Sequence, residues 1–277
     1  MFRRSAVVAV ALTAGVALAP APATAAKDTK APTVSVPARA GFVVGSAIDA
    51  MALDAFGDPS ETTGIRMTAT VKASDASGIC GYRTRVVTAG GSPSAWSAWQ
   101  GSPRITVTSD DYEDQFGGGS LNIDGYDVQV KDCEGNKAVR HFQTLPHVFQ
   151  EDGASFFYGG VTVERSGSWS TTSCFCWSGG KALKSSTAGS EVSFVVQGGD
   201  AALPVGLVME KSPDRGKVRV LVDGVAKATV DTFAATKRHR SVVWAGQLPA
   251  GEHTVTVVNL ATPNRPRVDV DALLVSS

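Results

Sequence analysis

The chain has 277 residues and balances 26 basic against 26 acidic side chains, so its formal net charge at neutral pH is zero. This balance gives no electrostatic reason to expect binding to nucleic acid or to an anionic membrane. The length predicts two domains of ordinary size behind a short export segment.

The first 26 residues have the composition of a cleaved signal peptide. Arg3 and Arg4 form a basic start, residues 6–19 are small and apolar, and residues 23–26 fit a signal-peptidase site. The apolar run is too short to cross a bilayer. We therefore expect a secreted, extracellular protein with no membrane attachment once the signal peptide has been removed.

Residues 27–145 predict a first β-sandwich. Several short segments have the two-residue period of strands and are separated by turns rich in Gly, Asp and Asn. These segments are residues 65–73, 82–88, 126–132 and 138–142. No convincing amphipathic helix occurs in the chain, which favours an all-β fold.

Residues 146–277 predict a second β-sandwich, and its clearest pattern is a hairpin within residues 216–230. Three valines alternate before Asp223-Gly224, which supplies a two-residue type I′ turn because that turn needs positive φ at both positions. In this register Val222 faces Val225, so we expect the valine face to continue on the return strand. Residues 253–258 and 267–275 predict two more strands.

The four cysteines predict disulfides, since the chain is expected to be exported, and they allow three pairings. We expect Cys80–Cys133 and Cys174–Cys176, because each pair lies within one predicted domain. The second ring is very small, so free thiols at Cys174 and Cys176 are the alternative.

No pattern in the sequence predicts catalysis. The chain has no Gly-x-Ser-x-Gly, no His-Glu-x-x-His and no Cys/His set with zinc spacing. Residues 110–114 offer several oxygen ligands for calcium, but they lack the glycine-punctuated spacing of calcium loops, and a solvated acidic loop is the alternative. We expect a protein that is not an enzyme, with no cofactor and no assigned metal ligand.

Residues 169–180 contain the most informative mixture of aromatic and polar side chains. Trp169, Phe175 and Trp177 lie among hydroxyls and glycines, and binding pockets use such mixtures because sugar C–H faces pack on rings while OH groups need polar partners. We expect these three residues to bind a ligand. In the alternative, a Trp fills the end of the sandwich, since Trp is mostly buried in proteins.

Three motifs lie within residues 32–144. They are Asp75-x-Ser77-Gly78-Ile79-Cys80, Gly117-Gly118-Gly119-Ser120 and Asp132-Cys133-Glu134-Gly135-Asn136. This region resembles the bacterial Ig-like domains of secreted actinobacterial proteins. In those domains a cysteine after the second strand pairs with the one in the Asp-Cys-x-Gly-Asn turn, and most of them act as spacers or adhesion modules.

Five motifs lie within residues 147–277. They are Tyr158-Gly159-Gly160, Trp169-Ser170, Val222-Asp223-Gly224, Leu248-Pro249-Ala250-Gly251-Glu252-His253 and Val270-Asp271-Ala272. Together they resemble the jelly-roll modules of the galactose-binding-like superfamily. The loop arrangement of that family implies that Tyr158 lies beside residues 169–180 and shares the ligand site. The paired acidic residues of its calcium-binding members are missing, and Glu164 alone stands near that position.

The patterns and resemblances together predict a secreted, non-catalytic protein in which an Ig-like spacer carries a jelly-roll module. That module is expected to bind a polysaccharide, such as a cell-wall glycan. The alternative is an extracellular structural or adhesion protein that makes protein–protein contacts and binds no sugar. An enzyme accessory or inhibitor is a third reading.

Overall fold

The computed structural model describes residues 27–47, 65–88, 93–101, 104–108, 123–144, 146–151 and 161–276. Apart from one short 3-10 turn, the regular structure in these residues is antiparallel β-sheet, which confirms the all-β prediction. The predicted signal peptide, the acidic run 110–114, the glycine motif 117–120 and the motif that contains Tyr158 lie outside the described residues. Within them, no helix has the length and apolar character needed to cross a membrane.

In the described residues before 144, eight strands form three small sheets. They are β1 (Thr33–Ser35), β2 (Gly41–Phe42), β3 (Arg66–Thr70), β4 (Lys72–Ser74), β5 (Ile79–Thr88), β6 (Arg104–Thr108), β7 (Ile123–Asp132) and β8 (Lys137–Gln143). The strand orders are β1-β4, β2-β3-β6 and β5-β7-β8. The segment 65–73, predicted as one strand, is two strands in different sheets, because β3 pairs with β6 whereas β4 pairs with β1.

The predicted disulfide between Cys80 and Cys133 is confirmed, with Cα atoms 4.8 Å apart. It joins β5 to the turn that follows β7. Asn136 closes that turn by donating its backbone N–H to Oδ1 of Asp132 and its side-chain amide to Oδ2, both at 2.8 Å. The cross-link and the turn therefore fix one end of the β5-β7-β8 sheet.

In the described part of the chain after residue 145, eleven strands form two larger sheets. They are β9 (Pro146–Gln150), β10 (Val161–Ser166), β11 (Ser170–Ser173), β12 (Lys181–Ser185), β13 (Glu191–Gln197), β14 (Leu203–Lys211), β15 (Lys217–Val222), β16 (Val225–Asp231), β17 (Arg238–Leu248), β18 (Glu252–Asn259) and β19 (Val268–Ser276). One sheet has the order β10-β13-β18-β15-β16. The other has the order β11-β12-β19-β14-β17, with β9 also paired to β19.

The two larger sheets enclose an apolar core. Val192, Phe194 and Val196 alternate along β13 and share one face, and each is at most 2% exposed. Leu207 and Leu273 pack into the same core from the opposite sheet. This burial of alternate residues from two facing sheets is the arrangement of a β-sandwich.

The hairpin of β15 and β16 has the predicted turn. Asp223 and Gly224 have φ values of +52° and +73°, and Val222 pairs with Val225. The expected continuation of the valine face is wrong at Val225, however, because that side chain is 58% exposed. The reason is that β16 is the edge strand of its sheet.

The sheet that contains β14, β17 and β19 is buried on both faces. The side chains of Val208 and Val242 lie outside the sandwich core and pack with Phe42 of β2 in a second core. Gly206 allows this close approach, since a Cβ atom there would lie 3.2 Å from the Phe42 ring. Val242 also exchanges two backbone hydrogen bonds of 2.8 Å with the segment after β2. Residues 27–144 and 146–276 are therefore joined by a shared apolar layer.

Candidate functional site

Residues 174–180, which we name the aromatic loop, connect β11 to β12 at one end of the sandwich. The N–H of Cys174 donates to the carbonyl of Gly180 (2.9 Å), and the N–H of Trp177 donates to the carbonyl of Cys174 (3.1 Å). Gly179 and Gly180 adopt positive φ, which glycine accepts without strain. Cys174 and Cys176 are bonded to each other. The loop is thus a closed turn.

Phe175 lies between the two bonded cysteines and is 89% exposed. It is the most exposed large hydrophobic side chain in the described part of the molecule, ahead of Val225 and Val44. A large apolar side chain on a constrained turn loses little conformational freedom when it binds a ligand. Among the aromatic residues singled out from the sequence that the structure describes, Phe175 is therefore the most exposed.

Trp177 lies on the inner side of the loop and is only 4% exposed. Its indole ring stands edge-on to His239, with the ring centroids 5.2 Å apart. This burial agrees with the alternative, in which Trp177 is a packed structural residue. The face of the indole is not offered to a sugar.

Trp169 is half-buried and packs against the sandwich core. Its indole N–H donates to the carbonyl of Ser166 at 3.1 Å. Trp169 therefore borders the loop as a packing residue with part of its ring accessible. Tyr158, the fourth predicted ligand-binding residue, lies outside the described residues.

Asp271 of β19 anchors the base of the aromatic loop. Its carboxylate accepts a hydrogen bond from the N–H of Ser178 (2.9 Å) and another from the Ser178 hydroxyl (3.3 Å). The side chain is fully buried, and this burial raises the pKa of Asp271 well above its usual range, although the Ser178 hydrogen bonds act in the opposite direction. The loop is therefore tied to the central strand of the sheet beneath it.

In the sequence, Asp271 stands out only as part of a scaffold motif, and this anchoring role could not be predicted from that motif. The available signal was an acidic residue inside an otherwise apolar strand, Val270-Asp271-Ala272. A carboxyl group in such a position needs a hydrogen-bonding partner, because burying an unpaired polar group is costly.

A second acidic group lies in the first region of the chain. Asp28, Asp75 and Asp132 each bring a carboxylate oxygen to within 4.8 Å of the other two, so they could hold a metal ion. Ser77 donates its backbone N–H and its hydroxyl to Asp75, both at 2.9 Å, and these bonds lower the pKa of Asp75. Asn136 donates a hydrogen bond to each carboxylate oxygen of Asp132. The group is therefore also stable as a hydrogen-bonded turn.

No family model and no curated protein matches the chain. Among solved structures it is similar to the CBM36-1 domain of a multidomain xylanase from the hindgut metagenome of Trinervitermes trinervoides (12% identity, TM-score 0.33, 48% of this chain and 98% of that one). It is also similar to a family 35 carbohydrate binding module from Clostridium thermocellum (13%, 0.37, 47% and 98%). A third is the Agl-KA catalytic domain (16%, 0.33, 48% of this chain and 27% of that one). At these low identities and TM-scores, the similarities say nothing about the function of this chain.

Proposed function

We propose that the chain is a secreted, non-catalytic carbohydrate-binding protein that holds a polysaccharide through the aromatic loop. The observation that carries the proposal is the exposure of Phe175, 89%, on a turn closed by the Cys174–Cys176 bond. An apolar ring that stays in water costs free energy, so its presentation by a constrained turn favours a role in binding.

The surroundings of Phe175 suit a sugar. A pyranose has an apolar C–H face that can pack on an aromatic ring and hydroxyl groups that need hydrogen-bonding partners. The preceding strand β11 supplies four consecutive hydroxyl side chains, from Ser170 to Ser173, and three of the four are exposed. Ring and hydroxyls thus occur within one short segment, as expected for a polysaccharide that lies across the end of the sandwich.

The buried acidic residues support a non-catalytic reading. Glu210 and Asp269 are at most 1% exposed, and both form ion pairs with Arg215. Burial raises the pKa of Glu210 while the Arg215 charge lowers it. Carboxylates enclosed in this way are shielded from a substrate, whereas glycoside hydrolysis needs a pair that flanks the sugar bond.

Export is supported by the cysteines. In addition to Cys80–Cys133, the Cys174–Cys176 bond leaves no free thiol in the chain. Disulfides persist in oxidising compartments and are rare in the cytosol. Together with the predicted signal peptide, this favours an extracellular location.

The test is a glycan array with the mature protein, the Phe175→Ala variant and a matched Phe233→Ala control. Phe233 is also exposed (48%), but it packs under the Arg265 guanidinium on another part of the second region. We expect Phe175→Ala to lose at least about tenfold in affinity for the bound glycan, with a stability change within about 0.5 kcal/mol, as is usual for surface positions. The control should bind like the wild type.

Two results would contradict the proposal. Wild-type protein that binds no glycan refutes sugar binding and favours the alternative, in which Phe175 anchors a partner protein. Binding that is unchanged in Phe175→Ala removes the aromatic loop as the site, even though the function would stand.

A further inference from the structure

Trp96 and Trp99 lie on a segment that is locked to the edge of β5. The segment repeats Ser-Ala-Trp twice, and each serine makes the same pair of bonds. The backbone N–H groups of Ser94 and Ser97 donate to carbonyls of β5 (2.9 and 2.8 Å), and their hydroxyls accept N–H bonds from β5 at 3.0 Å. The period of three therefore places the two indoles on the same side of the strand.

Basic side chains from three neighbouring strands stack on these indoles. The Arg85 guanidinium lies 4.4 Å from the Trp96 ring centre, and that of Arg83 lies between the two rings, 5.0 Å from Trp96 and 4.7 Å from Trp99. The ammonium groups of Lys131 and Lys137 lie 4.5 and 5.9 Å from Trp99. All are within the range of a cation–π interaction. We call these four basic side chains the basic face.

The charges on the basic face are only partly neutralised. Arg85 pairs with Asp127 at 2.8 Å, whereas Arg83 donates its Nε–H to the neutral amide of Gln129. In the described part of the chain, no carboxylate lies within ion-pair distance of Arg83, Lys131 or Lys137. Within the described residues, three cations therefore surround Trp99 with no carboxylate in ion-pair distance.

The pairing register of β7 and β8 is a second feature that favours the binding of an anion. Lys131 and Lys137 are direct partners across the β7–β8 pair. Like charges directly opposite each other in a sheet are destabilising, and here a third cation lies on the same ring. An arrangement of this kind is relieved when an anion binds.

We propose that the basic face binds an acidic polysaccharide that carries a carboxylate on each sugar. The cations come from three neighbouring strands, β5, β7 and β8, and gather around Trp99. Such a cluster suits a chain with repeated carboxylates better than a single small anion. The indoles hold the cations in place, so little side-chain entropy is lost on binding.

The indoles themselves argue against a single-stranded nucleic acid as the occupant. Proteins that hold single strands leave aromatic faces free for bases to stack on. Here the faces of Trp96 and Trp99 are covered by guanidinium and ammonium groups. The inference does not rest on the aromatic loop, which belongs to a different sheet.

The experiment measures the binding of polygalacturonate oligomers to the mature protein at several salt concentrations. The test variant is Lys131→Gln/Lys137→Gln, and the control is Lys217→Gln/Lys227→Gln, which removes two exposed charges from the β15–β16 hairpin. We expect the test variant to bind about tenfold or more weakly and with a shallower salt dependence, because fewer counterions are released. The control should bind like the wild type.

Thermal melts separate this outcome from unfolding. Without ligand, the test variant should melt at or above the wild-type temperature, since the opposed lysines are gone. Added polygalacturonate should raise the melting temperature of the wild type more than that of the variant. The proposal is overturned if polygalacturonate does not bind at low salt or binds both double variants equally. It is also overturned if poly(glycerol phosphate) or single-stranded DNA binds more tightly than the polyuronate. Loss of binding in Phe175→Ala would instead assign the polyuronate to the aromatic loop.

Discussion

The two regions of the chain are stabilised by different means. Residues 146–276 enclose their own core between two sheets, with Phe194, Leu207 and Leu273 fully buried. Residues 27–144 form three small sheets, which share a core with the outer face of β14, β17 and β19 and carry the Cys80–Cys133 bond. The difference indicates that the second region can fold around its own core. The first region depends for its stability on packing against the second.

The tryptophans of the two regions differ in the same way. Trp177 is buried edge-on to His239, whereas Trp96 and Trp99 lie on the surface of a small sheet, under arginine and lysine side chains. In the second region the indole of Trp177 is buried, while in the first region the indoles hold basic side chains on the outer face of the sheet. Neighbouring aromatic residues therefore need not share a role.

The largest expected effect is the removal of a core aromatic from the second region. Trp177→Ala should lower the free energy of unfolding by about 3–5 kcal/mol, because it empties a buried site. Urea denaturation of the mature protein measures this loss, and Phe175→Ala, two residues away, is the matched control with almost no loss. Equal effects for the two variants would contradict the burial of Trp177.

The next effect separates the two regions. Cys80→Ala should destabilise the first region by about 2–5 kcal/mol, since the bond closes a long loop. The second region should keep its transition, because its core lies between its own sheets. Denaturation should then show two steps, which tryptophan fluorescence can resolve. A single step at the wild-type midpoint would show that the bond contributes nothing to stability.

A third substitution tests the layer between the regions. Gly206→Val places a branched side chain where even a Cβ atom would lie 3.2 Å from the Phe42 ring. We expect a loss of about 1–3 kcal/mol, the usual cost of overpacking. Protease digestion should release the first region sooner than in the wild type. An unchanged digestion pattern would mean that the two regions do not depend on this contact.

The smallest effect concerns pH and the anchor of the aromatic loop. The pKa of Asp271 is raised in the folded state by burial, so the folded protein holds a proton that the unfolded chain releases. This contribution favours folding at low pH, and it is lost as the pH rises from the ordinary Asp pKa through the folded-state value. Asp271→Asn lacks this titration and keeps an oxygen that can accept from Ser178.

Thermal melts of Asp271→Asn and the wild type should therefore diverge with pH. The stability of the variant relative to the wild type should increase from pH 4 to pH 8. A relative stability that is constant or decreases over this range would show that Asp271 is not held with a raised pKa.

Local sequence patterns predicted much of the fold. The period of two located β5, β7, β8, β18 and β19, and Asp223-Gly224 predicted the hairpin register. These features depend on residues close together in the chain or on a turn whose φ values restrict the residue type. They could be predicted because local geometry decides them.

The roles of the aromatic residues were decided by the tertiary structure. Nothing in residues 174–177 distinguishes the outward Phe175 from the inward Trp177, because the direction of each side chain follows from how Ser178 is bound to Asp271, 93 residues away. The exposure of Val225 depends on β16 being an edge strand, and the burial of both faces of β14 depends on Phe42 reaching Gly206. The sequence by itself determined strands and turns, since these follow from local backbone preferences. Which faces are covered, and which ring meets solvent, follows from contacts between distant segments that only the tertiary structure brings together.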